Sequence, residues 1–236
     1  MKDLYTNYKN NFEEKINLSI ELQNRKTHIE YIINKYFPKD KSSHILDVAC
    51  GYGAHLYYLN QYNFTNVVGI DLSKTNIDLA KSIGLNNIFH QDMFVHLEAC
   101  KSNSLDLILA IDILEHLEND QIFNFISQSK RVLKQGGLII IHTPNANSPF
   151  FGRVRYGDFT HKTAFTPKSM QQIFRSKDFS DITFEESGPI IHGVFSLIRF
   201  VLFKILRFIF NLIILSETGA SEKVLTHNFY TIVRKN

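Results

Sequence analysis

The 236 residues contain no tryptophan, and cysteine is limited to Cys50 and Cys100. Two cysteines are too few for a disulfide framework or a structural zinc site. A strong charge of one sign is also missing. Lys and Arg number 26 against 23 Asp and Glu, a balance of +3, and the basic residues are scattered rather than gathered into a stripe, so no nucleic-acid partner is expected. The N-terminus, MKDLYTNYKNN, lacks the apolar region of a signal peptide. With so few cysteines, this predicts a reducing, cytoplasmic location. No internal repeat or low-complexity linker is found. A hydrophobic content of 44% is enough for a sizeable core, and 21% charge is ordinary. Twenty phenylalanines beside no tryptophan read as a compositional bias, not as a function.

Short apolar runs alternate with helical patterns along most of the chain. Ile29, Ile32, Ile33, Tyr36 and Phe37 share one helical face, which Pro38 ends. The runs 44–49, 66–71, 86–91, 105–112 and 137–143 read as buried parallel strands. Residues 53–62, 73–83, 93–100 and 120–134 read as helices between them. Ser73 suits an N-cap, and Gly136-Gly137 suits the stop before the fifth strand. A further helix is expected from Thr166-Pro167, a strand near 181–185, and a last strand over 228–235. The alternation predicts a doubly wound α/β domain over 1–236, with an N-terminal helical cap (1–38), a core (44–186) and an insertion (189–226). Ligands of such sheets bind at the carboxyl ends of the strands.

The first strand runs into Asp47-Val48-Ala49-Cys50-Gly51-Tyr52-Gly53, a turn of small residues that lets backbone approach a ligand. Eighteen residues on, Asp71 can accept hydrogen bonds from a ribose diol. Alone, these fit any nucleotide-like ligand, or a tight turn beside an unrelated Asp. A dinucleotide fingerprint requires a third glycine where Leu56 stands. His90-Gln91-Asp92-Met93 then offers a carboxylate and an apolar side chain to an adenine, and Asp112-Ile113-Leu114-Glu115-His116 follows the fourth strand.

From about residue 44 to 186 the chain resembles class I S-adenosylmethionine-dependent methyltransferases, through ILDVACGYG, VVGIDLS, HQDMF, LDLILAIDILEHL and RVLKQGGLIIIHTPN in order. The resemblance implies a Rossmann-like, mostly parallel seven-stranded sheet with an antiparallel last strand. It implies S-adenosylmethionine as cofactor and S-adenosylhomocysteine as product. Asp47, Ala49, Cys50, Gly51 and Gly53 would surround the methionine moiety, Asp71 and Leu72 the ribose, and Asp92 and Met93 the adenine. Ile111 and His116 would line the pocket. Ala49 departs from the glycine many relatives carry.

A hydroxyl acceptor needs a base. Asp158, Thr160, His161 and Phe165-Thr166-Pro167 resemble a stretch in methyltransferases of bacterial glycan and surface-polysaccharide pathways. His161 is then the expected base, oriented by Asp158, with His142 a further candidate; alternatively these residues only fix the loop. Arg153, Arg155 and Lys162 would suit a phosphorylated or nucleotide-linked acceptor, or form a solvated basic loop. No metal-ligand spacing stands out. O-methylation of a sugar in capsule or surface-polysaccharide biosynthesis is the leading expectation. A lipid-soluble acceptor such as a quinone precursor is the alternative, and a nicotinamide oxidoreductase or a non-catalytic nucleotide-binding module stands behind both.

Residues 190–215 are strongly apolar but interrupted by Arg199, Lys204 and Arg207. Each costs roughly 2.5–3.5 kcal/mol at the centre of a span, so a basic amphipathic helix, or two in sequence, is expected instead. His192, Ser196, Arg199, Lys204, Arg207 and Asn211 fall within roughly 140° of a helical wheel. The opposite face suits packing on the domain or a homodimer, ranked ahead of peripheral contact with the inner face of a membrane.

Overall fold

The computed structural model describes residues 17–236, so the cap expected before residue 17 lies outside the described residues. Helix α1 (Leu18–Tyr36) starts at Asn17, whose side chain accepts from the Ile20 N–H, and turns Ile29, Ile32 and Ile33 inward. There follow β1 (Ile45–Val48), α2 (Ala54–Gln61), β2 (Val67–Asp71), α3 (Lys74–Ser82), β3 (Ile88–His90), α4 (Met93–Ala99) and β4 (Leu105–Ile111). A 3₁₀ turn at Leu114–His116 leads to α5 (Asn119–Val132), β5 (Leu133–Pro144), the short α6 (Phe151–Arg155) and α7 (Pro167–Arg175). The chain ends with β6 (Asp181–Glu186), α8 (Val194–Thr218) and β7 (Asn228–Arg234).

The seven strands form one sheet in the order β3-β2-β1-β4-β5-β7-β6. The first five run parallel, and β7 lies antiparallel to both β5 and β6. Central strands buried on both faces explain why they read as continuous apolar runs. One face packs against α1, α2 and α3 through residues such as Leu56, Leu59 and Ile77. The other packs against α4, α5 and α7 through Leu97, Phe125 and Phe174. Glu185 of β6 accepts hydrogen bonds from Tyr31 and Tyr36 and pairs with Lys35, which ties α1 to the sheet's edge.

Two boundaries differ from the sequence reading. Helix α5 stops at Val132, and Leu133 already pairs with Leu105 in the sheet. Gly136-Gly137 therefore does not end a helix. It forms an irregularity inside β5, where Gly136 adopts φ +78°, donates its N–H to Lys235 O at 2.7 Å and accepts from Arg234 Nη1 at 2.9 Å. The insertion is a single 25-residue helix, α8, and its apolar face does not pack within the domain: Phe195 is 86% exposed and Phe208 64%.

Candidate active site

Strands β1 and β4 are neighbours, while the chain winds away from them in opposite directions, so their carboxyl ends flank a crevice. A cavity of about 550 Å³ lies there, lined from β1, β2, β4 and the segments that follow them. That volume suits a cofactor-sized ligand.

The turn after β1 explains its own residues. Ala49 (φ +53°), Gly51 (+57°) and Gly53 (+79°) are all left-handed. A Cβ on Gly51 would meet no protein atom within 4 Å, so the space beside it is open to a ligand. A Cβ on Gly53 would lie 2.5 Å from Leu85 Cδ1. Gly53 serves the packing of the start of α2 against Leu85 and Ile88, and it is the one expected cofactor residue absent from the cavity wall; Asp47, Ala49, Cys50, Gly51, Asp71, Leu72, Asp92, Met93, Ile111 and His116 all line it.

Asp47 reaches this wall from within the sheet, only 1% exposed, with no hydrogen bond to either carboxylate oxygen. Burial, reinforced by the charge of Asp71, pushes its carboxyl well above the ordinary range. His55 Nδ1 lies 3.8 Å away, but burial and then the charge of Arg25 hold that imidazole down to about 3, so it brings no compensating charge. A buried, unsatisfied carboxylate at a ligand cavity calls for a cationic partner, and the ammonium of a methionine moiety is one. Asp71 is better provided for. Its Oδ2 accepts from Gly51 N (2.8 Å), and its Oδ1 accepts from Ser73 N (2.7 Å) and Asn76 Nδ2 (3.3 Å). Of about four acceptor positions on a carboxylate, roughly one is left for a ribose hydroxyl, fewer than the diol expected from sequence. Asp92 Oδ1 caps α4 by accepting from Phe94 N (2.7 Å) and Val95 N (3.3 Å). The residues present fit S-adenosylmethionine, which supplies an electrophilic methyl group when bound.

The cavity is also lined by the apolar Ile113, Leu117, Pro144 and Val154 and by Asp112, Asp158, His161 and Lys162. Ile111 and His142 are register partners in β4 and β5, which brings the next residue, Asp112, against the imidazole. Asp112 Oδ1 lies 2.5 Å from His142 Nδ1, and His142 packs on the Tyr230 ring at 4.7 Å. Desolvation raises the Asp112 carboxyl, but the charge of His142 and its hydrogen bond outweigh this and hold it below the ordinary range. His142 itself stands behind Asp112 and does not line the cavity.

Asp158 and His161 both line the cavity. Asp158 Oδ1 accepts from Thr160 N (2.8 Å) and the Thr160 hydroxyl (2.7 Å), and Thr160 Oγ1 lies 2.8 Å from His116 Nδ1. With the Thr160 proton given to Asp158, His116 donates through Nδ1 and keeps Nε2 as an acceptor. Burial and then the charge of His161 hold His116 down to about 4. The His161 ring meets the His116 ring edge-on at 4.7 Å, and His161 Nδ1 is buried without a hydrogen bond. Glu115 is 1% exposed; burial and then the charge of Asp112 push its carboxyl well above the ordinary range. Its carbonyl accepts from Lys162 N (2.7 Å) and Thr163 N (3.0 Å), which moors the loop to the pocket.

Several residues at the site carried no sequence signal. Arg25, from α1, lines the cavity and lies over the Tyr52 ring at 5.8 Å; His55 and Asn76 also line it. Glu115, His116 and His161 each place one ligand atom within 4.8 Å of the others, a grouping that folding creates across 46 residues and that linear spacing could not reveal. Of the three loop cations only Lys162 lines the cavity, and it pairs with Glu118 at 3.1 Å. Arg155 donates to Lys162 O at 3.1 Å and Arg153 is exposed, so the loop does not converge on a phosphate.

This sheet order, the glycine turn after β1 and the acidic end of β2 are the arrangement that the resemblance to class I S-adenosylmethionine-dependent methyltransferases implies. A family model described as a methyltransferase domain matches residues 22–183, and the chain belongs to that family. A ubiquinone biosynthesis O-methyltransferase of Rickettsia canadensis is 34% identical over 122 residues, 50% of each chain. The chain thus spans about half the length of the curated relatives it matches. A SAM-dependent methyltransferase of Archaeoglobus fulgidus shares the fold at a TM-score of 0.65 and 21% identity, over 92% of this chain and 99% of the other. Phosphoethanolamine N-methyltransferase 2 of Haemonchus contortus, solved with S-adenosyl-L-methionine, does so at 0.59 and 16%, over 88% and 52%.

Proposed function

We propose that the protein O-methylates a lipid-soluble hydroxylated ring, of the kind a quinone precursor provides. The observation that carries this reading is the Asp112–His142 pair at a cavity also lined by the apolar Ile113, Leu117, Pro144 and Val154. An apolar ring can lie against these side chains with its hydroxyl toward Asp112. The acceptor oxygen then displaces sulfur at the methyl carbon in line, and its proton passes to the Asp112–His142 pair. Orientation and exclusion of water supply most of the acceleration, because the methyl donor is already activated. An aspartate that orients an imidazole was expected at Asp158 and His161. On this reading the working pair is Asp112 and His142, since Asp158 is engaged with Thr160, and His161 shapes the cavity. The names of the matching relatives support the quinone-type acceptor over the sugar. The engagement of Lys162 with Glu118 also removes the main support for a phosphorylated one.

The test is methyl transfer from labelled S-adenosylmethionine to a short-chain prenylated hydroxyphenol, run beside nucleotide-activated sugars. Label should appear in an organic-soluble methyl ether. Label in the sugar fraction, or none in either while the cofactor binds, would overturn the acceptor class.

A further inference from the structure

Helix α8 turns a mixed face inward, with Ser196, Arg207 and Asn211 beside the part-buried Phe200, Phe203, Phe210 and Ile214, and leaves a wholly apolar face outside. Ser196 is buried, its hydroxyl accepting from His192 N at 2.8 Å and donating to Gly193 O at 2.7 Å. Arg207 donates to Glu186 Oε2 and to Lys223 O, both at 2.6 Å. Asn211 Oδ1 accepts from Glu222 N at 2.8 Å. A helix of a water-soluble domain turns its apolar face to the core; here three hydrogen-bonded polar residues and four part-buried apolar ones hold the helix to the domain, and the larger apolar half faces out. From Val194 to Leu215, thirteen apolar side chains are between 46% and 86% exposed. Together they present on the order of 1,000 Å², beyond the roughly 300–600 Å² of the largest patch on an ordinary monomer.

The shape and borders of this surface say what covers it. At about 100° per residue, the outward side chains taken round the helix from Leu197, past Ile205, to Leu206 cover an arc of roughly 180° that holds no charge. Arg199 and Lys204, both exposed, stand at the two opposite borders of that half-cylinder. A second helix would cover only a narrow stripe of it, whereas a lipid interface immerses the whole half and leaves the border cations at headgroup level. The surface also continues beyond α8. Phe150 meets Phe210 edge-on at 6.1 Å, and in the segment that follows Tyr156 is 78% and Phe159 91% exposed, with exposed Arg153 between them and Phe150. Exposed aromatics beside basic residues suit the headgroup boundary. Of the nearby acids, Glu186 is paired with Arg207, while Glu217 and Glu222 lie at and beyond the helix's carboxyl end. Among the described residues no helix is long and apolar enough to cross a membrane.

We propose that α8 lies flat on an anionic phospholipid bilayer, sunk to the level of Arg199 and Lys204, with the Phe150–Phe159 segment at its flank. The docking does not depend on which hydroxyl the enzyme methylates, because it is read from α8 and not from the pocket. Flotation with vesicles of equal phosphatidylglycerol and phosphatidylcholine tests it. The protein should float with these vesicles at low salt, and at least about tenfold less should float with phosphatidylcholine alone. Ile205→Glu with Leu212→Glu should abolish flotation while the melting temperature and S-adenosylmethionine binding by calorimetry stay unchanged. Arg199→Glu with Lys204→Glu, two exposed substitutions that leave the apolar face intact, should lower flotation about tenfold on the anionic vesicles only. Wild-type protein that stays at the bottom of the gradient with anionic vesicles would overturn the proposal. So would a lipid-free dimer, seen by sedimentation, that Ile205→Glu splits while flotation is unaffected.

Discussion

Replacing Asp47 with Asn is expected to stabilise the ligand-free protein while weakening its hold on S-adenosylmethionine. Asp47 is enclosed by the sheet and accepts no hydrogen bond; the ring of His55 beside it is neutral, and the charge of Asp71 opposes its ionisation. Its carboxyl is raised above the ordinary value of 3.8, so the folded state retains a proton that the unfolded chain releases. The sign follows: this group's contribution to stability falls as pH rises from near 4 up through the folded-state value, by about 1.4 kcal/mol per pH unit. Asn carries no such slope. It leaves a neutral amide unsatisfied in the same place, so the net relief near neutral pH is set at about 1 kcal/mol. For a chain of this size that raises Tm by roughly 2–4 °C. Loss of a charged hydrogen bond to the methionine ammonium should weaken binding by roughly ten- to a hundredfold. The assay is thermal melting from pH 4.5 to 8, with and without cofactor, beside calorimetry at neutral pH. The melting curves of the two proteins should converge at the acid end and separate toward neutral pH. A variant that melts lower than wild type at neutral pH, or binds cofactor equally well, would refute the reasoning.

Breaking the Asp112–His142 pair should affect turnover and not cofactor binding. His142→Ala is expected to lower kcat about a hundredfold or more with the S-adenosylmethionine Kd unchanged, while His161→Ala costs far less; the reverse ranking in single-turnover assays would return the role to His161. Ala49→Gly should stabilise the protein slightly. A left-handed non-glycine residue costs about 1–2 kcal/mol and glycine's added chain entropy about 0.5–1, leaving roughly 0.5 kcal/mol, readable as a higher urea midpoint. A lower midpoint would mean that the Ala49 methyl supports the pocket.

The strands were legible because buried parallel strands read as unbroken apolar runs, and their carboxyl ends locate the site by topology alone. Ten of the eleven cofactor residues expected from the motifs line one cavity. The exception, Gly53, shows that two glycines in one turn can serve different needs, one facing the ligand and one facing Leu85. Spacing could not show what depends on register between distant strands. The meeting of Asp112 with His142 follows from Ile111 pairing with His142, and the arrival of Arg25 follows from how α1 packs on α2. The wheel of residues 190–215 suited the apolar face to packing on the domain or a homodimer, whereas Ser196, Arg207 and Asn211 turn inward and most of the apolar face is exposed. That was decided by Glu186, Lys223 and Glu222, partners that the helical pattern does not contain.

Glu186 and Phe229 are register partners at the ends of β6 and β7. Residues 187–227 are therefore the turn of a hairpin, drawn out into a long excursion. Strand pairing already holds the two ends together. Shortening the excursion to an ordinary turn would return about 2 kcal/mol of loop-closure entropy and leave every sheet pairing in place. The excursion's last residues belong to the core, where Val224 and Leu225 are buried and Val224 and Thr226 accept hydrogen bonds from Asn145 at the end of β5. The part that the sheet can gain, lose or exchange is therefore α8 with its flanking turns.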